Sequence, residues 1–394
     1  MERRWRTLEG VVVACASFWR GKRVLLTGHT GFKGSWLLLW LLELGAEVWG
    51  YALEPEPEPN LFRELLPHLK VSPYADRWHH CSADLADREQ LGISVADCQP
   101  EVVFHLAAQP LVRLSYADPL GTWGTNVMGS LQLLECLKDL QHRCAVVMVT
   151  TDKVYANQEW EFGYRETDPL GGIDPYSASK AAAEIAIQSW RASFCGQALH
   201  QTPHLKIATA RAGNVIGGGD WALDRIVPDA IRALVKGEPI AVRNQQATRP
   251  WQHVLEPLGG YLALAESLAL QAEPPAEAFN FGPSLLSNRP VAELIETILL
   301  HWQGQWEDHS DRKSVHEATL LHLQIDKAHH RLGWGPLWDY QTTVERTVRW
   351  YQDVHRGANP LQRCLEDIHA YGESALEPIG QPQQADHDEE VERD

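Results

Sequence analysis

The stretch Thr27-Gly28-His29-Thr30-Gly31-Phe32-Lys33-Gly34-Ser35-Trp36 decides the fold, because it joins the apolar run Val24-Leu25-Leu26 to the helical pattern Trp36-Leu37-Leu38-Leu39-Trp40-Leu41-Leu42. A glycine loop between a strand and a helix is a phosphate cradle. Gly28 allows the tight turn, Gly31 lets the backbone approach a pyrophosphate, and Gly34 lets the helix pack close to the sheet. Thr30, Phe32 and Lys33 fill the places between. Taken alone, the glycines also fit a turn that merely needs small residues, so the reading depends on its surroundings.

Working outward, Val48-Trp49-Gly50-Tyr51-Ala52 reads as a second strand and completes a βαβ unit. Val102 to Leu106 and Ala145 to Val149 read as further buried parallel strands, separated by a helical segment from Thr125 to Leu140. Another helix follows Pro175 and leads to a sixth strand, Leu205 to Ala210. The pattern predicts a Rossmann-type, doubly wound parallel α/β sheet over residues 17–213, with 243–268 returning to it. A smaller C-terminal α/β substrate domain is expected from 214–242 and 269–360. Residues 1–16 read as an N-terminal extension, Pro55-Glu56-Pro57-Glu58-Pro59 as a stiff connector, and 372–394 as a disordered acidic tail. In such a sheet the ligand is expected outside the carboxyl ends of the strands.

The composition sets bounds. A formal net charge of −17 argues against a nucleic-acid partner, which needs a basic face, so any anionic ligand must be held by local groups. The 7 cysteines are scattered and odd in number, with no Cys-x-x-Cys pair, which points to reduced thiols in a cytoplasmic protein. No metal site is expected, because surface or satisfied-core roles are the ordinary reading of the 18 histidines. Arg3-Arg4-Trp5-Arg6 before Val11-Val12-Val13 imitates a secretory leader, but the apolar core is too short and the first strand follows too soon. No run reaches the roughly 20 apolar residues of a membrane span.

Several residues are placed to carry chemistry. Glu54, at the end of the second strand, suits the hydroxyls of an adenosine ribose and repels a 2′-phosphate, which favours NAD; Lys33 pulls the other way and keeps NADP open. Asp84-Leu85, after a third strand, suits the adenine, with a solvated turn carboxylate as the alternative for Asp84. Tyr176 and Lys180 share a helix face, where an ammonium and a nicotinamide charge both stabilise a phenolate. Thr150-Thr151-Asp152 ends the preceding strand, so Thr151 can bind the same substrate hydroxyl and Asp152 can donate a proton to a departing one.

These motifs together resemble the extended short-chain dehydrogenase/reductases that modify nucleotide sugars, over residues 18 to 355. Further matches are His105-Leu106-Ala107-Ala108-Gln109, Thr125-Asn126-Val127, Asp326-Lys327-Ala328, Leu332-Gly333-Trp334 and Trp350-Tyr351. The resemblance implies that Leu106, Ala107, Ala108, Gln109, Asn126 and Thr150 join the glycine loop at the cofactor, and it suggests a homodimer paired through helices near 125–140 and 176–194. Three longer strings are similar to those of the CDP-glucose 4,6-dehydratases. They are the glycine loop through Trp36, Ala107 through Arg113, and Arg211-Ala212-Gly213-Asn214-Val215-Ile216-Gly217-Gly218-Gly219-Asp220-Trp221, and Arg249-Pro250-Trp251-Gln252-His253-Val254 agrees as well.

That similarity implies a redox-neutral lyase of deoxysugar and lipopolysaccharide-type sugar biosynthesis. Tyr176 takes the 4-hydroxyl proton, Asp152 with Lys153 expels the 6-hydroxyl, and the cofactor ends as it began. The better-known dTDP-glucose dehydratases carry Thr-Asp-Glu where this chain has Thr151-Asp152-Lys153, so the carbon-5 base is not carried over. Arg249 and Asn214 are candidates for the substrate diphosphate, joined by Arg113 and by Arg225 and Arg243, for which surface salt bridges are the alternative. Trp251 is a candidate for stacking near the base, with a core role as the alternative. An epimerase would share the fold, Tyr176 and Lys180 but would lack the acid; a silent NAD-binding regulator would have lost the Tyr-Lys-Thr set.

Overall fold

Val24, Leu25 and Leu26 are fully buried because the strand that carries them, β1 (Arg23–Thr27), lies mid-sheet with both faces covered. A continuous apolar run is what a central parallel strand requires, since neither face meets water. In this computed structural model, which describes residues 14–56, 59–195, 204–310 and 320–375, β1 is followed by β2 (Glu47–Ala52), β3 (Trp78–Ser82), β4 (Val102–His105), β5 (Cys144–Val149) and β6 (Leu205–Ala212). Then come β7 (Ile240–Val242), β8 (Thr248–Pro250), β9 (Ala278–Phe281), β10 (Asn288–Pro290) and β11 (Trp306–Asp308).

The main sheet is parallel throughout, in the order β3-β2-β1-β4-β5-β6-β9. The order reverses direction between β1 and β4, and the crevice at that switch point opens beside the glycine loop. The Phe32–Glu43 helix is apolar on nearly every side, because the sheet covers one face and the Pro360–Ser374 helix covers the other, with Trp40 edge-on to Tyr371 at 5.6 Å. The Leu255–Leu270 helix lies buried against β5 and β6.

Three expected boundaries move. Ala278–Phe281, assigned by its position in the chain to the substrate domain, instead forms β9, where pairing with β6 completes the sheet edge. The N-terminal extension ends sooner than residue 16. Ala16–Trp19 is helical, Trp19 is fully buried and donates its indole N–H to Glu266 at 2.6 Å, and the Cys15 amide donates to the same oxygen at 2.7 Å. The tail begins later than 372, since the last helix continues to Ser374, where the Ser374 hydroxyl receives the Trp338 indole N–H. The rest of the expected extension and tail, and Pro57-Glu58 of the connector, lie outside the described residues.

The substrate side is built from two short sheets, β7 with β11 and β8 with β10, and from the Ile226–Lys236 and Val291–His301 helices. Three glycines in Gly217-Gly218-Gly219 connect it to the first domain. A Cβ on Gly218 would lie 2.0 Å from the Trp350 ring, and Gly219 adopts φ +80°. The Trp36 indole donates to the Gly218 carbonyl at 2.9 Å, so the tryptophan that ends the glycine motif clamps this turn. Long similarity strings far apart in the chain are therefore one packing unit.

Candidate functional site

Gly28 has φ +78°, and a Cβ there would sit 2.6 Å from the Ala107 amide nitrogen; a Cβ on Gly34 would sit 2.0 Å from the Gly28 carbonyl oxygen. Both positions exclude any side chain on the protein's own account. Gly31 differs, since its added Cβ would meet only the Gly28 oxygen at 3.4 Å, an ordinary contact. The space over Gly31 is therefore left for a ligand. The following helix has no side-chain cap and no acidic residue in its first turn, so its leading N–H groups remain available to an anion. These features fit a dinucleotide pyrophosphate.

Around the loop, the Leu106 amide donates to the Thr27 carbonyl at 3.1 Å and the Ala107 amide to Thr27 Oγ1 at 3.2 Å, which draws the segment after β4 against the loop. Ala108 follows on that segment. Thr30 Oγ1 donates to the Leu53 carbonyl at 3.1 Å and pins the loop to the end of β2, one residue before the exposed Glu54. Asp84 is exposed, with one carboxylate oxygen accepting from the Ala86 amide at 2.8 Å, and Leu85 is buried against the flat face left by Gly129.

Asn126 and Gln109 prove to be braces. Asn126 Oδ1 accepts from the Gln109 amide at 2.9 Å, and its Nδ2 donates to Ser179 Oγ at 2.9 Å, tying the cofactor-side loop to the catalytic helix. The Gln109 side chain closes its own loop through Leu111 and Thr122. Both side-chain amides are thus engaged within the protein.

The helix of Tyr176 and Lys180, Pro175–Phe194, is capped by Asp174, which accepts from the Ser177 amide at 3.0 Å. It places Tyr176 and Lys180 in the crevice, 8% and 6% exposed. Burial pushes the Tyr176 phenol up to about 12; hydrogen bonding with Thr151 and the Arg225 charge act against it, while Asp152 adds to it. Burial brings Lys180 down to about 8 against the pull of Glu184, and its ammonium donates to the Val149 carbonyl at 3.3 Å. The cation that counters burial most at Tyr176 is thus Arg225, on the substrate side, rather than the Lys180 expected from helix spacing. Replacing Arg225 by Gln removes a charge that lowers the phenol, so the rising limb of the kcat–pH curve should move to higher pH; an unmoved limb would contradict this.

Thr151 and Asp152 lie 5% and 2% exposed where β5 ends. Thr151 Oγ1 donates to Asp152 Oδ1 at 3.0 Å, and Lys153 Nζ stands 3.7 Å from the same oxygen. Gly213 makes room for the carboxylate, since a Cβ there would lie 2.5 Å from Asp152 Oδ2. Lys33 reaches this end of the site. Burial and Arg225 bring its ammonium down to about 8, with Asp152 opposing and Lys180 and Lys153 adding to the repulsion.

Below the site, Glu184 accepts from Thr150 Oγ1 at 2.5 Å, Thr209 Oγ1 at 2.8 Å and Arg211 Nη2 at 2.9 Å, all buried. Arg211 also donates to the Tyr155 hydroxyl at 2.9 Å, which donates in turn to Asn280. This network escaped the sequence reading, although Tyr176, Lys180 and Glu184 recur every four residues on one helix face. Breaking a buried pair by removing one partner costs about 3–5 kcal/mol, so the network fixes the catalytic helix to β5 and β6. Thr150 is spent on this network.

Of the substrate candidates, Arg113 and Arg243 converge on Asp224 Oδ1 at 2.9 and 2.6 Å, and Arg225 pairs with Asp220 at 3.1 Å. Arg249 lies on β8 opposite Arg289 and donates to the Thr248 carbonyl. Asn214 is half-buried just beyond β6. Trp251 does not reach the site. Its ring is 3% exposed within the core and its N–H is spent on the Arg289 carbonyl at 3.0 Å, so base stacking by Trp251 is excluded. Among the described residues no cluster of His, Cys, Asp or Glu suits a metal ion, and no helix is long and apolar enough to cross a membrane.

Residues 25–347 match the family described as GDP-mannose 4,6 dehydratase. A CDP-glucose 4,6-dehydratase of Salmonella typhimurium is 44% identical over 361 residues, which cover 90% of this chain and 97% of the relative. Among solved structures, DesIV, a dTDP-glucose 4,6-dehydratase of Streptomyces venezuelae with NAD and TYD bound, superposes with a TM-score of 0.69 at 24% identity, covering 86% of this chain and 99% of that one. A Bacillus anthracis dTDP-glucose 4,6-dehydratase in complex with NAD gives 0.68 at 20% identity, covering 86% and 100%. These two likenesses concern the fold.

Proposed function

The chain belongs to the GDP-mannose 4,6-dehydratase family, and we propose from that membership and the site's geometry that it converts CDP-glucose to CDP-4-dehydro-6-deoxyglucose and water, with NAD as resident cofactor. When bound, NAD supplies reversible hydride acceptance, so the overall reaction needs no external oxidant. The observation that carries the dehydratase reading is the Asp152 carboxylate, buried beside Thr151 with Gly213 cleared to admit it. An epimerase has no need of an acid at this point.

The chain's own residues divide the work. Tyr176, bonded to Thr151 and facing Arg225, takes the proton of the 4-hydroxyl as carbon 4 is oxidised. The resulting ketone acidifies carbon 5. Elimination then removes the carbon-5 proton and the 6-hydroxyl: Lys153 takes that proton and passes it to Asp152, 3.7 Å away, which gives it to the departing oxygen as water forms. Lys180 holds the backbone at the end of β5 and carries positive charge beside the cofactor. Arg113, Asn214, Arg225, Arg243 and Arg249 hold the diphosphate, and Glu54, Asp84 and Leu85 the adenosine end of the cofactor. A net charge of −17 makes such a local clamp necessary.

The preference for cytidine follows the 44% identical relative. Incubating the purified protein separately with CDP-glucose, dTDP-glucose and UDP-glucose should yield a 4-keto-6-deoxy product with the first at the highest kcat/KM. Turnover of another nucleotide with none of CDP-glucose would overturn the specificity. A homodimer is supported by the exposed apolar side chains Leu120, Trp123, Met128 and Ile185, carried on helical segments that pack together beside the site. A cytoplasmic location and a nucleotide-sugar rather than nucleic-acid partner accord with seven free thiols and the acidic charge.

A further inference from the structure

Asp224 adopts φ +62°, a left-handed conformation that aspartate tolerates better than most side chains, within a turn that is braced on both sides. Before it, Asp220 accepts from the Ala222 amide at 3.1 Å and from Arg225 Nη1 at 3.1 Å, and its carbonyl receives the buried Tyr351 hydroxyl at 2.6 Å. After it, Arg225 opens the Ile226–Lys236 helix. The turn is therefore fixed, and with it the place of the Asp224 carboxylate.

Two arginines from distant parts of the chain reach one oxygen of that carboxylate: Arg113 Nη1 donates to Asp224 Oδ1 at 2.9 Å, and Arg243 Nη1 donates to the same atom at 2.6 Å. Arg113 belongs to the Val112–Ala117 helix, which follows the cofactor-side segment of Ala107 and packs against the helix of Tyr176, whereas Arg243 lies just past β7 on the substrate side. The carboxylate thus joins the two sides of the crevice. Guanidiniums brought this close repel each other unless an anion lies between them, so Asp224 is what allows the pair. Arg243 is held further by Asp229 at 3.8 Å, while the Arg113 side chain stays 67% exposed. A guanidinium carries five donors in a planar fork, and Asp224 takes one from Arg113, which leaves an edge of that fork to a second anion. We propose that Asp224 is a positioning residue of the substrate clamp: it gathers Arg113 and Arg243 into one fixed pair whose remaining donors receive the diphosphate of the nucleotide sugar. The salt bridge and the phosphate clamp, alternatives for Arg243 in the sequence, are then one arrangement. Pairing before the ligand arrives removes side-chain freedom in advance, so less is lost on binding.

The inference rests on the reading that Arg113 meets the diphosphate, and the test separates the two. Affinities for the nucleoside diphosphate that the activity assay selects, expected to be CDP, and for its uncharged nucleoside are measured by equilibrium titration of the full chain saturated with NAD. The same titrations are made on Asp224→Asn, Arg113→Gln and the Arg113→Gln/Asp224→Asn double variant. Asparagine keeps the shape, suits the left-handed turn and loses only the charge, so the fold survives. Asp224→Asn should weaken the diphosphate about fivefold, the scale of two exposed ion pairs, and leave the nucleoside within about twofold. In the Arg113→Gln background the same change should cost only about twofold, because Arg243 alone is left to position. An unchanged or tightened diphosphate affinity in Asp224→Asn, an equal loss for the nucleoside, or an undiminished loss in the Arg113→Gln background overturns the role of Asp224 alone. An unchanged diphosphate affinity in Arg113→Gln overturns the reading of Arg113, and the role of Asp224 with it.

Discussion

Tyr176→Phe is expected to lower kcat by about 10³-fold, in the middle of the range for losing a positioned acid–base group, while the fold and cofactor binding persist. The ring stays in its buried place and only the hydroxyl bonded to Thr151 is lost, so the change isolates the proton transfer. Burial and Asp152 hold the phenol's proton on, up at about 12, and Arg225 with a nicotinamide charge acts to take it off. Steady-state turnover of CDP-glucose measures the effect. A loss below about tenfold would remove Tyr176 from the role of base.

Asp152→Asn should lower formation of the 6-deoxy product by about 10²-fold or more, while carbon 4 is still oxidised. Asn keeps the shape and can still accept from Thr151 Oγ1 in the space cleared by Gly213, but it has no proton to give a departing hydroxyl. Quenched reaction mixtures should then contain a 4-keto sugar nucleotide that retains its 6-hydroxyl. Equal loss of both steps would show that Asp152 acts before the elimination. Lys153 loses its carboxylate partner in this variant, so any surviving water loss reports what the lysine can do by itself.

The chemistry of the cradle was legible because it is local. Gly34 is dictated by backbone within a few residues and Gly28 by its own positive φ, and Tyr176, Thr151 and Asp152 sit at strand and helix ends that hydrophobic patterning locates. The substrate clamp was less legible. Arg225 reads in the chain as one of several arginines, yet its charge bears on Tyr176, and it pairs with Asp220 at 3.1 Å. Trp251 illustrates the opposite error: a motif tryptophan suggests stacking, and packing buries it.

By itself the sequence determined the parallel sheet, the dinucleotide cradle, the Tyr-Lys helix face and the acid at the end of β5, since each depends on spacing along one or two elements. Tertiary structure alone decided which distant charges meet. Glu184 and Arg211 lock beneath the site, His29 finds His80 across β2, and Ala278–Phe281 joins the main sheet. The reason is physical: hydrogen bonds act only over about 3 Å and charge interactions fall off with distance, so partners are chosen by strand order and packing, which separation in the chain does not reveal.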